Sequence, residues 1–399
     1  MKSKVELLAP AGDFSKLKTG LYFGADAVYV GGKAFSLRSF AGNFDYEGLK
    51  LATDYVHSLG KKIYVTANIF ARNADFCQLA EYFEYLQNIG VDAAIISDSG
   101  VVYTAKKHAP KLPIHISTQA NLTNKYAVKF WQEQGIARAI LARELSLSEI
   151  KEIHDFVPDI ELEAFVHGAM CISYSGRCLL SDYLASRPSN RGECVQACRW
   201  NYTVKKSDLG ADSGDMPVEE DERGTYIFNS KDLNMSAHLN EMAEAGVCSF
   251  KIEGRMKSEY YLATVINAYR RCMDGGFTPT VESELLTASH RDYTTAYTLS
   301  ENHRTVNYSD SQAKGDCDYI GNVLSGGEGV AVVEMRGRFK VGDRLEVLSP
   351  TDNFGKSFVV ERAVTSAGEQ VSDCKLVQEH YTINCPLTLS TGDILRRRK

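Results

Sequence analysis

Four cysteines in the middle of the chain form its most specific chemical pattern. They follow the spacing C-x6-C-x15-C-x3-C, as Cys171, Cys178, Cys194 and Cys198. Thiolate sulfur is a soft ligand that selects zinc, copper(I) or iron–sulfur clusters. Structural zinc sites usually place two to four residues between paired cysteines, and only Cys194 and Cys198 fit that spacing. The pattern favours an iron–sulfur cluster with ligands from several loops. Zinc, or plain buried or redox-active thiols, are the alternatives.

Charged side chains near these cysteines could handle protons. His167 precedes Cys171 by four residues, and histidine titrates near neutral pH, so it is a candidate general acid–base. Glu163 lies on the same face of the same predicted strand, because alternate residues share a face. Lys251, Glu253 and Arg255 share a face of a later strand, and three charges there are costly unless paired or used. The alternative for His167 is a purely structural role. The alternative for the three charged residues is an ion-pair network in the interior that the strands enclose.

A repeating strand–helix pattern must position these residues. Short apolar segments alternate with amphipathic helices, which indicates a parallel sheet with helical crossovers. The candidate strands are residues 4–9, 25–32, 61–69, 91–98, 112–121, 137–144, 160–168, 224–233 and 247–255. We predict an α/β fold, a TIM-like (β/α)8 barrel with the cysteine-rich region inserted. One strand is surplus, and it lies outside the ring or pairs across its end. No GxGxxG follows the first strand, which disfavours a dinucleotide-binding sheet.

Function in such a barrel gathers at the carboxyl ends of the strands. The cysteine-rich segment leaves the predicted barrel at that end, directly after His167, so we expect a cluster beside or over the barrel mouth. The polar residues predicted at this end are Asn68, Asp98, Gln119, Asn121, Arg143, Glu144, His167, Lys251, Glu253 and Arg255.

The pattern changes towards the C-terminus. From about residue 316, short alternating segments and turns follow one another without a helix between them, which predicts an all-β domain. The predicted division is a barrel at 1–275 with the iron–sulfur region at 163–200, an irregular connecting segment at 276–312, and a small β-barrel at 313–399.

Composition and charge limit the classes of function that the chain could have. The chain has 399 residues, is 44% hydrophobic and carries a net charge of −6, so it is typical of a globular protein and not of an indiscriminate RNA binder. We expect no membrane-spanning helix and no signal peptide. Ten cysteines without a secretion signal predict a cytoplasmic location. The basic run Arg396–Lys399 is predicted to be a solvated tail, with a local RNA patch as the alternative.

Several sequence blocks resemble a known family. The run Glu163-x-Phe165-x-x-Gly168-Ala169-Met170-Cys171-x4-Gly176-x-Cys178-x-Leu180-Ser181 is similar to the conserved motif of the peptidase U-32 family, the collagenase-like proteins. The blocks ECVQACRWNY (193–202), SFKIEGRMKS (249–258) and SHRDYTTAY (289–297) resemble further parts of it. The branch with the greatest resemblance is that of the tRNA 5-hydroxyuridine modification proteins.

This resemblance implies a specific function. It implies that the four cysteines hold a [4Fe–4S] cluster, that tRNA is hydroxylated at the wobble uridine to 5-hydroxyuridine, and that prephenate, not dioxygen, is the hydroxyl donor. A collagenase-like protease is one alternative, although GxSxG and HExxH motifs are absent. A Cys171–His167 protease pair would leave the other three clustered cysteines unexplained. A non-catalytic RNA-binding or scaffold protein with a structural metal is another alternative.

The residues expected to act fall into two groups besides the cysteines. Prephenate carries two carboxylates, and arginine binds carboxylates through two parallel hydrogen bonds, so Arg38 and Arg255 are the candidates for that anion. The predicted catalytic residues are His167, Glu163 and Glu253. The predicted substrate-binding residues are Arg38, Gln119, Asn121, Lys251, Arg255, His290 and Arg291.

Overall fold

The computed structural model describes residues 5–36, 42–171, 173–175, 177–200, 219–221, 224–226, 230–299, 314–327 and 329–399. The chain forms two compact units. The first contains Met1–Leu17, Asp26–Met256 and Arg291–Ala313, and the second contains Lys18–Ala25, Lys257–His290 and Lys314–Lys399. Among the described residues, no helix is both long and apolar enough to cross a membrane.

Eight parallel strands form a closed ring in the first unit, as predicted. The ring closes because β11 pairs in parallel with both β1 and β7. These strands are short and almost fully buried, as expected for parallel strands covered on both faces. They are β1 (Glu6–Pro10), β2 (Ala27–Gly31), β3 (Lys62–Ala67), β4 (Ala93–Ile96), β5 (Ile114–Ile116), β6 (Arg138–Ile140), β7 (Glu161–Ala169) and β11 (Val247–Ile252).

Helices alternate with these strands. Side-chain oxygens of Asp45, Asp98, Asn124 and Ser146 accept hydrogen bonds from backbone N–H groups at the starts of four helices, which satisfies donors that a helix cannot pair internally. The helices are α1 (Phe14–Tyr22), α2 (Tyr46–Ser58), α3 (Phe76–Asn88), α4 (Ser99–His108), α5 (Lys125–Glu133), α6 (Leu147–Phe156), α7 (Leu180–Ala185) and α8 (Leu239–Glu244).

The surplus ninth strand lies at the rim of the barrel. The segment predicted at 224–233 contributes β10 (Asp232–Asn234), which runs antiparallel to the end of β7. A two-residue strand, β12 (Tyr293–Thr294), pairs with β10 in parallel. The strands β8 (Glu219–Asp221) and β9 (Gly224–Tyr226) pair only with each other among the described residues.

The second unit contains two helices and a β-sheet. The helices are α9 (Glu259–Gly275) and α10 (Pro279–Leu285). Its main sheet has the order β17-β16-β22-β13-β14-β21-β18-β19, and the pairings that join it are antiparallel. The strands are β13 (Cys317–Gly327), β14 (Val330–Met335), β15 (Phe339–Lys340), β16 (Arg344–Leu348), β17 (Ser357–Val359), β18 (Ala363–Thr365), β19 (Gln370–Val371), β20 (Asp373–Cys374), β21 (His380–Asn384) and β22 (Ile394–Arg398).

This unit confirms the predicted β-rich C-terminal domain. No pairing between the end strands β17 and β19 is found within the described part of the chain. The connection predicted to be irregular contains α10, because Thr278 caps a helix that begins with a proline at its first position. The sequence assigned α9 to the end of the barrel, whereas its residues cluster with the second unit.

The prediction of a solvated basic tail is wrong. Arg396 lies in β22 and is fully buried. Its guanidinium forms ion pairs with Glu284 and Glu346. Arg397 pairs with Asp318 and Asp343, and Arg398 pairs with Glu346. The run is not a free tail because its strand is central in the sheet, between β16 and β13, although Arg398 and Lys399 are exposed.

Candidate active site at the barrel mouth

The lower half of the barrel interior holds a buried ion-pair network. The carboxylate of Glu163 accepts hydrogen bonds from Lys251 Nζ at 2.6 Å and Arg138 Nη1 at 3.1 Å. Arg138 also donates to Glu6 at 2.6 Å. Glu6 and Arg138 are the first residues of β1 and β6, whereas Lys251 is the fifth of the six residues of β11, so this network extends upward from the amino ends of the strands. Burial lowers the pKa of Lys251, while the neighbouring Glu163 opposes that shift.

Two predicted site residues, Glu163 and Lys251, are therefore paired with each other in this network. Its other members, Glu6 and Arg138, were not among the predicted site residues. A buried charge needs such partners because desolvation would otherwise be too costly.

An arginine and two hydroxyl groups form one corner of the mouth. Arg255 Nη1 donates to Ser36 Oγ and Thr66 Oγ1, both at 2.9 Å. Gly31 is required here, since a Cβ atom at that position would collide with the guanidinium. The adjacent Tyr82 hydroxyl is buried without a hydrogen-bond partner among the described residues, and burial raises its pKa. A buried guanidinium beside the Tyr82 hydroxyl suits an anion.

Side-chain amides line a second part of the mouth. Asn68 Nδ2 donates to Gln119 Oε1 at 2.5 Å, and Ser117 Oγ donates to the same oxygen at 3.0 Å. Asn121 adopts a left-handed backbone conformation, with φ of 57°, and its amide donates to the carbonyl of Ser175 at 3.5 Å. The predicted residues Gln119 and Asn121 are thus close to each other, and Asn121 contacts the cysteine-rich segment.

His167 and Glu253 are also brought together, on neighbouring strands. The Glu253 N–H donates to the His167 carbonyl at 2.9 Å. Gly168 permits this approach, because its φ is +107° and a Cβ atom would lie 2.7 Å from the Glu253 carbonyl oxygen. The His167 ring packs beside the ring of Tyr293, with 5.4 Å between centroids.

The rim strands add two residues that sequence reasoning missed. Asp232 Oδ2 accepts a hydrogen bond from the Arg291 N–H at 3.2 Å. Its other oxygen, Oδ1, is buried with no partner in the part of the chain that is described. Burial and the charge of Asp232 raise the pKa of Tyr293. The sequence signal was present, since Tyr293 lies in the SHRDYTTAY block and Asp232 in the surplus strand.

Arg143 and Glu144 follow β6 at the same end of the barrel. Arg143 Nη1 donates to the carbonyl of Ala169 at 2.6 Å, and its guanidinium lies 3.9 Å from the centroid of the Phe165 ring. Burial raises the pKa of Glu144. A carboxyl group shifted in this direction can donate a proton closer to neutral pH.

The cysteine-rich segment is attached to the loop after β3. Arg191 forms two hydrogen bonds with the carboxylate of Asp75, at 2.9 and 3.0 Å, and donates to the Phe70 carbonyl at 3.0 Å. The Phe70 N–H donates to the carbonyl of Asn190 at 3.1 Å. Together with the Asn121–Ser175 contact, these bonds hold the segment at the mouth end, as predicted.

Internal contacts draw the cysteine-bearing turns together. Ser189 Oγ donates to the Cys178 carbonyl at 2.6 Å, and the Val195 N–H donates to Ser181 Oγ at 3.1 Å. A short 3-10 helix, Ala197–Arg199, contains Cys198 and packs against α7. Cys178, Cys194 and Cys198 therefore lie in turns that contact one another.

The chemistry of these thiols fits an iron–sulfur cluster. None of the four forms a disulfide bond, and Cys171 is exposed while the other three are half-buried. Backbone N–H groups donate to Cys178 Sγ and Cys194 Sγ, both at 3.4 Å. Such hydrogen bonds are among the contacts that tune cluster sulfurs. In this structure the thiols are not arranged as a set of metal ligands, since no three Cys, His, Asp or Glu side chains in the described ranges are placed to hold a metal.

Three of the predicted residues remain to be described, and they are Arg38, His290 and Arg291. Arg38 is outside the described residues. His290 belongs to the second unit, where its N–H and carbonyl groups both pair with Lys314. Arg291 belongs to the first unit and contacts Asp232 through its backbone.

Comparison with known proteins gives consistent matches. The model of the family described as peptidase family U32 matches residues 12–308, and that of its C-terminal domain matches residues 315–396. The chain is 38% identical to "tRNA hydroxylation protein P" of Escherichia coli, over 92% of this chain and 90% of that protein. It is 41% identical to "tRNA hydroxylation protein P1" of Bacillus subtilis, over 88% and 85%. It is 30% identical to a "Collagenase" of Porphyromonas gingivalis, over 87% of each chain.

Proposed function

The chain belongs to peptidase family U32, and from that premise we propose that it is an enzyme that hydroxylates a nucleoside of tRNA. The observation that carries the proposal is the 38% identity to a tRNA hydroxylation protein across nine-tenths of both chains. At the finer level, we propose that the product is 5-hydroxyuridine at the wobble position. A barrel mouth can receive a single base, and single-stranded RNA loops present unstacked bases for insertion into pockets.

The amides at the mouth support recognition of uracil. Uracil offers one N–H donor between two carbonyl acceptors, and a side-chain amide carries both a donor and an acceptor. Gln119 is held by Asn68 and Ser117 through its oxygen. Its Nε2 group is therefore the atom that would donate to a uracil carbonyl.

Proton transfer is assigned to the groups on β7, β11 and the loop after β6. Replacement of the C5 hydrogen of uracil by a hydroxyl group removes one proton and two electrons from the base. His167 and Glu253 are the groups proposed to accept the proton, since their strands bring them together. Glu144 is a further candidate acid–base group at the mouth, because burial raises its pKa.

Prephenate is the proposed hydroxyl donor, and the Arg255 corner is its proposed binding site. The buried guanidinium of Arg255, which Ser36 and Thr66 hold in place by accepting from its Nη1 group, is the proposed donor to one carboxylate. We assign Arg38 to the other carboxylate. If the hydroxyl group is delivered as hydroxide, two electrons must leave the base, and we assign their removal to an external redox carrier such as a flavin or an electron-transfer protein.

We propose that Cys171, Cys178, Cys194 and Cys198 hold a [4Fe–4S] cluster. When bound, the cluster supplies one-electron transfer. The contacts that tie the cysteine turns together, and the N–H donors to Cys178 and Cys194, support this assignment. Anaerobic purification followed by iron and sulfide analysis tests it, with about four irons per chain expected. One zinc per chain would contradict it.

One experiment on tRNA separates the three functions that the sequence left open. Nucleosides from tRNA of a strain that lacks this gene are analysed by mass spectrometry, with the wild-type gene or a Cys178→Ser variant returned. Hydroxylation is expected to be lost in the strain and restored by the wild-type gene alone.

Two other outcomes would overturn the proposal. Restoration by folded protein with all four cysteines changed to serine would favour a scaffold role. Unchanged tRNA, together with gelatin cleavage by the pure protein, would favour the protease function that the Porphyromonas relative's name implies.

A further inference from the structure

Large apolar side chains are exposed on the cysteine-rich segment, at the mouth end of the barrel. Tyr183 is 87% exposed, Leu179 67% and Tyr174 50%. Trp200 is 44% exposed. Exposed aromatic groups are normal when single, but several within one short segment mark a binding surface.

Local contacts place these side chains around one helix. Leu179 and Tyr183 are four residues apart, and the Tyr183 N–H donates to the Leu179 carbonyl at 2.9 Å, so both lie on one face of α7. The opposite face carries the buried Ser181. Trp200 directly follows the 3-10 helix that packs against α7. The Tyr174 turn is held to the barrel mouth through the Asn121–Ser175 contact.

The charge of this segment is opposite to that of the chain. Residues 171–200 contain four arginines but only Asp182 and Glu193 as acids, whereas the whole chain has a net charge of −6. Arg177 is exposed and forms no ion pair among the residues that the structure describes. Aromatic faces beside arginines are the means by which proteins bind single-stranded nucleic acids, through base stacking and phosphate contacts.

We propose that Tyr174, Tyr183 and Trp200, with Arg177, form a stacking surface that binds the single-stranded loop of the RNA substrate. The proposal rests on the proposed function and names the surface that would receive the nucleotides beside the modified base. The occupant is single-stranded RNA, because every base presents a face for stacking while the exposed Arg177 attracts phosphate. A second copy of this chain would meet the same positive charge and is disfavoured.

Binding is tested separately from hydroxylation. The full chain is titrated into a fluorescent anticodon stem–loop and into a fully paired RNA duplex of the same length. Tyr183→Ala and Trp200→Ala are each expected to raise the stem–loop Kd about tenfold, in line with the loss of one stacked base. Tyr183→Phe is expected to bind like the wild type because it keeps the ring.

Tyr103→Ala is the matched control. Tyr103 lies on α4 and is 70% exposed, so its removal tests whether any exposed tyrosine matters. Unchanged stem–loop affinity in Tyr183→Ala overturns the proposal, and so does an equal loss in Tyr103→Ala. A change in the sedimentation of Tyr183→Ala at unchanged RNA affinity would assign the surface to self-association and likewise overturn it. Specific stem–loop binding by a protein that does not hydroxylate tRNA would support this binding surface and contradict the proposed function.

Discussion

Gly31 illustrates how one residue can control the Arg255 corner. A Cβ atom there would collide with Arg255 Nη1 and with Ser36 Oγ. The guanidinium is itself held in place by Thr66 and Ser36. Any side chain at position 31 must therefore displace the group assigned to the carboxylate of the hydroxyl donor.

Gly31→Ala is expected to lower hydroxylation at least tenfold, mainly by raising the KM for the anionic donor. That loss corresponds to about 1.4 kcal/mol of binding. In the control Gly275→Ala, the new Cβ atom meets nothing within 4 Å, so activity should be unchanged. Steady-state kinetics with varied donor measure the effect, and wild-type kinetics in Gly31→Ala would contradict the assigned site.

Lys251 was predicted to bind substrate, and its position gives a direct test of that role. Lys251→Met removes one partner of the buried Glu163 carboxylate and should cost about 3–5 kcal/mol of unfolding free energy. The double variant with Glu163→Leu should recover part of that loss, because it also removes the buried carboxylate that Lys251→Met leaves with Arg138 as its ion-pair partner. Denaturant unfolding measures both. A folded Lys251→Met protein of normal stability but poor substrate affinity would instead support the predicted binding role.

The Arg191–Asp75 pair joins two elements, the cysteine-rich segment and the loop after β3. The hydrogen bond from Arg191 lowers the pKa of Asp75. A carboxylate whose pKa is lowered by folding stabilises the contact above its unfolded pKa, near 3.9. That stabilisation is lost as the pH falls through the lowered value. The attachment should therefore persist at neutral pH and weaken below about pH 4.

Asp75→Asn is expected to loosen the segment at neutral pH. Hydrogen exchange of peptides within residues 171–200 should become several times faster, because the amide keeps the shape of the carboxylate but not its charge. Asp155→Asn provides the control, since it breaks an exposed pair with Lys151 within α6. Exchange that is unchanged in Asp75→Asn would show that other contacts hold the segment.

The regular elements were predictable from the sequence, and the short ones were not. In β7 and β11, alternation over six or more residues placed Glu163 and Lys251 on interior faces that meet. Arg138 begins a three-residue strand, and β12 has only two residues. Strands this short cannot show an alternation of apolar and polar residues. The contacts between cysteine turns depend on irregular backbone, which leaves no periodic signal.

At the scale of the whole molecule, charge is distributed unevenly. The C-terminal arginines, for which an RNA patch was the alternative prediction, form ion pairs within the second unit. Arg396 is fully buried and contacts both oxygens of Glu284. We therefore assign RNA binding to the cysteine-rich segment and not to this run.

Glu284→Ala should destabilise the second unit strongly. The buried guanidinium of Arg396 would keep only Glu346 and Thr287 as partners, and breaking such a buried pair costs about 3–5 kcal/mol. The backbone amides of β13 and β22 should therefore exchange their hydrogens faster with solvent. Asp373→Ala, which breaks the exposed pair with Arg338, should leave exchange unchanged. Equal exchange in both variants would show that the buried pair contributes little.

The ion-pair network of Glu6, Arg138, Glu163 and Lys251 occupies the barrel interior, and the Arg255 corner lies at the mouth, so we take the mouth as the entrance to the proposed site. Under the proposed function, a small donor in the Arg255 corner must enter before RNA covers that entrance, and its remnant must leave after the RNA does. The enzyme should therefore follow a compulsory order, in which the small product is competitive with the donor but not with RNA, and excess RNA traps the enzyme in a dead-end complex.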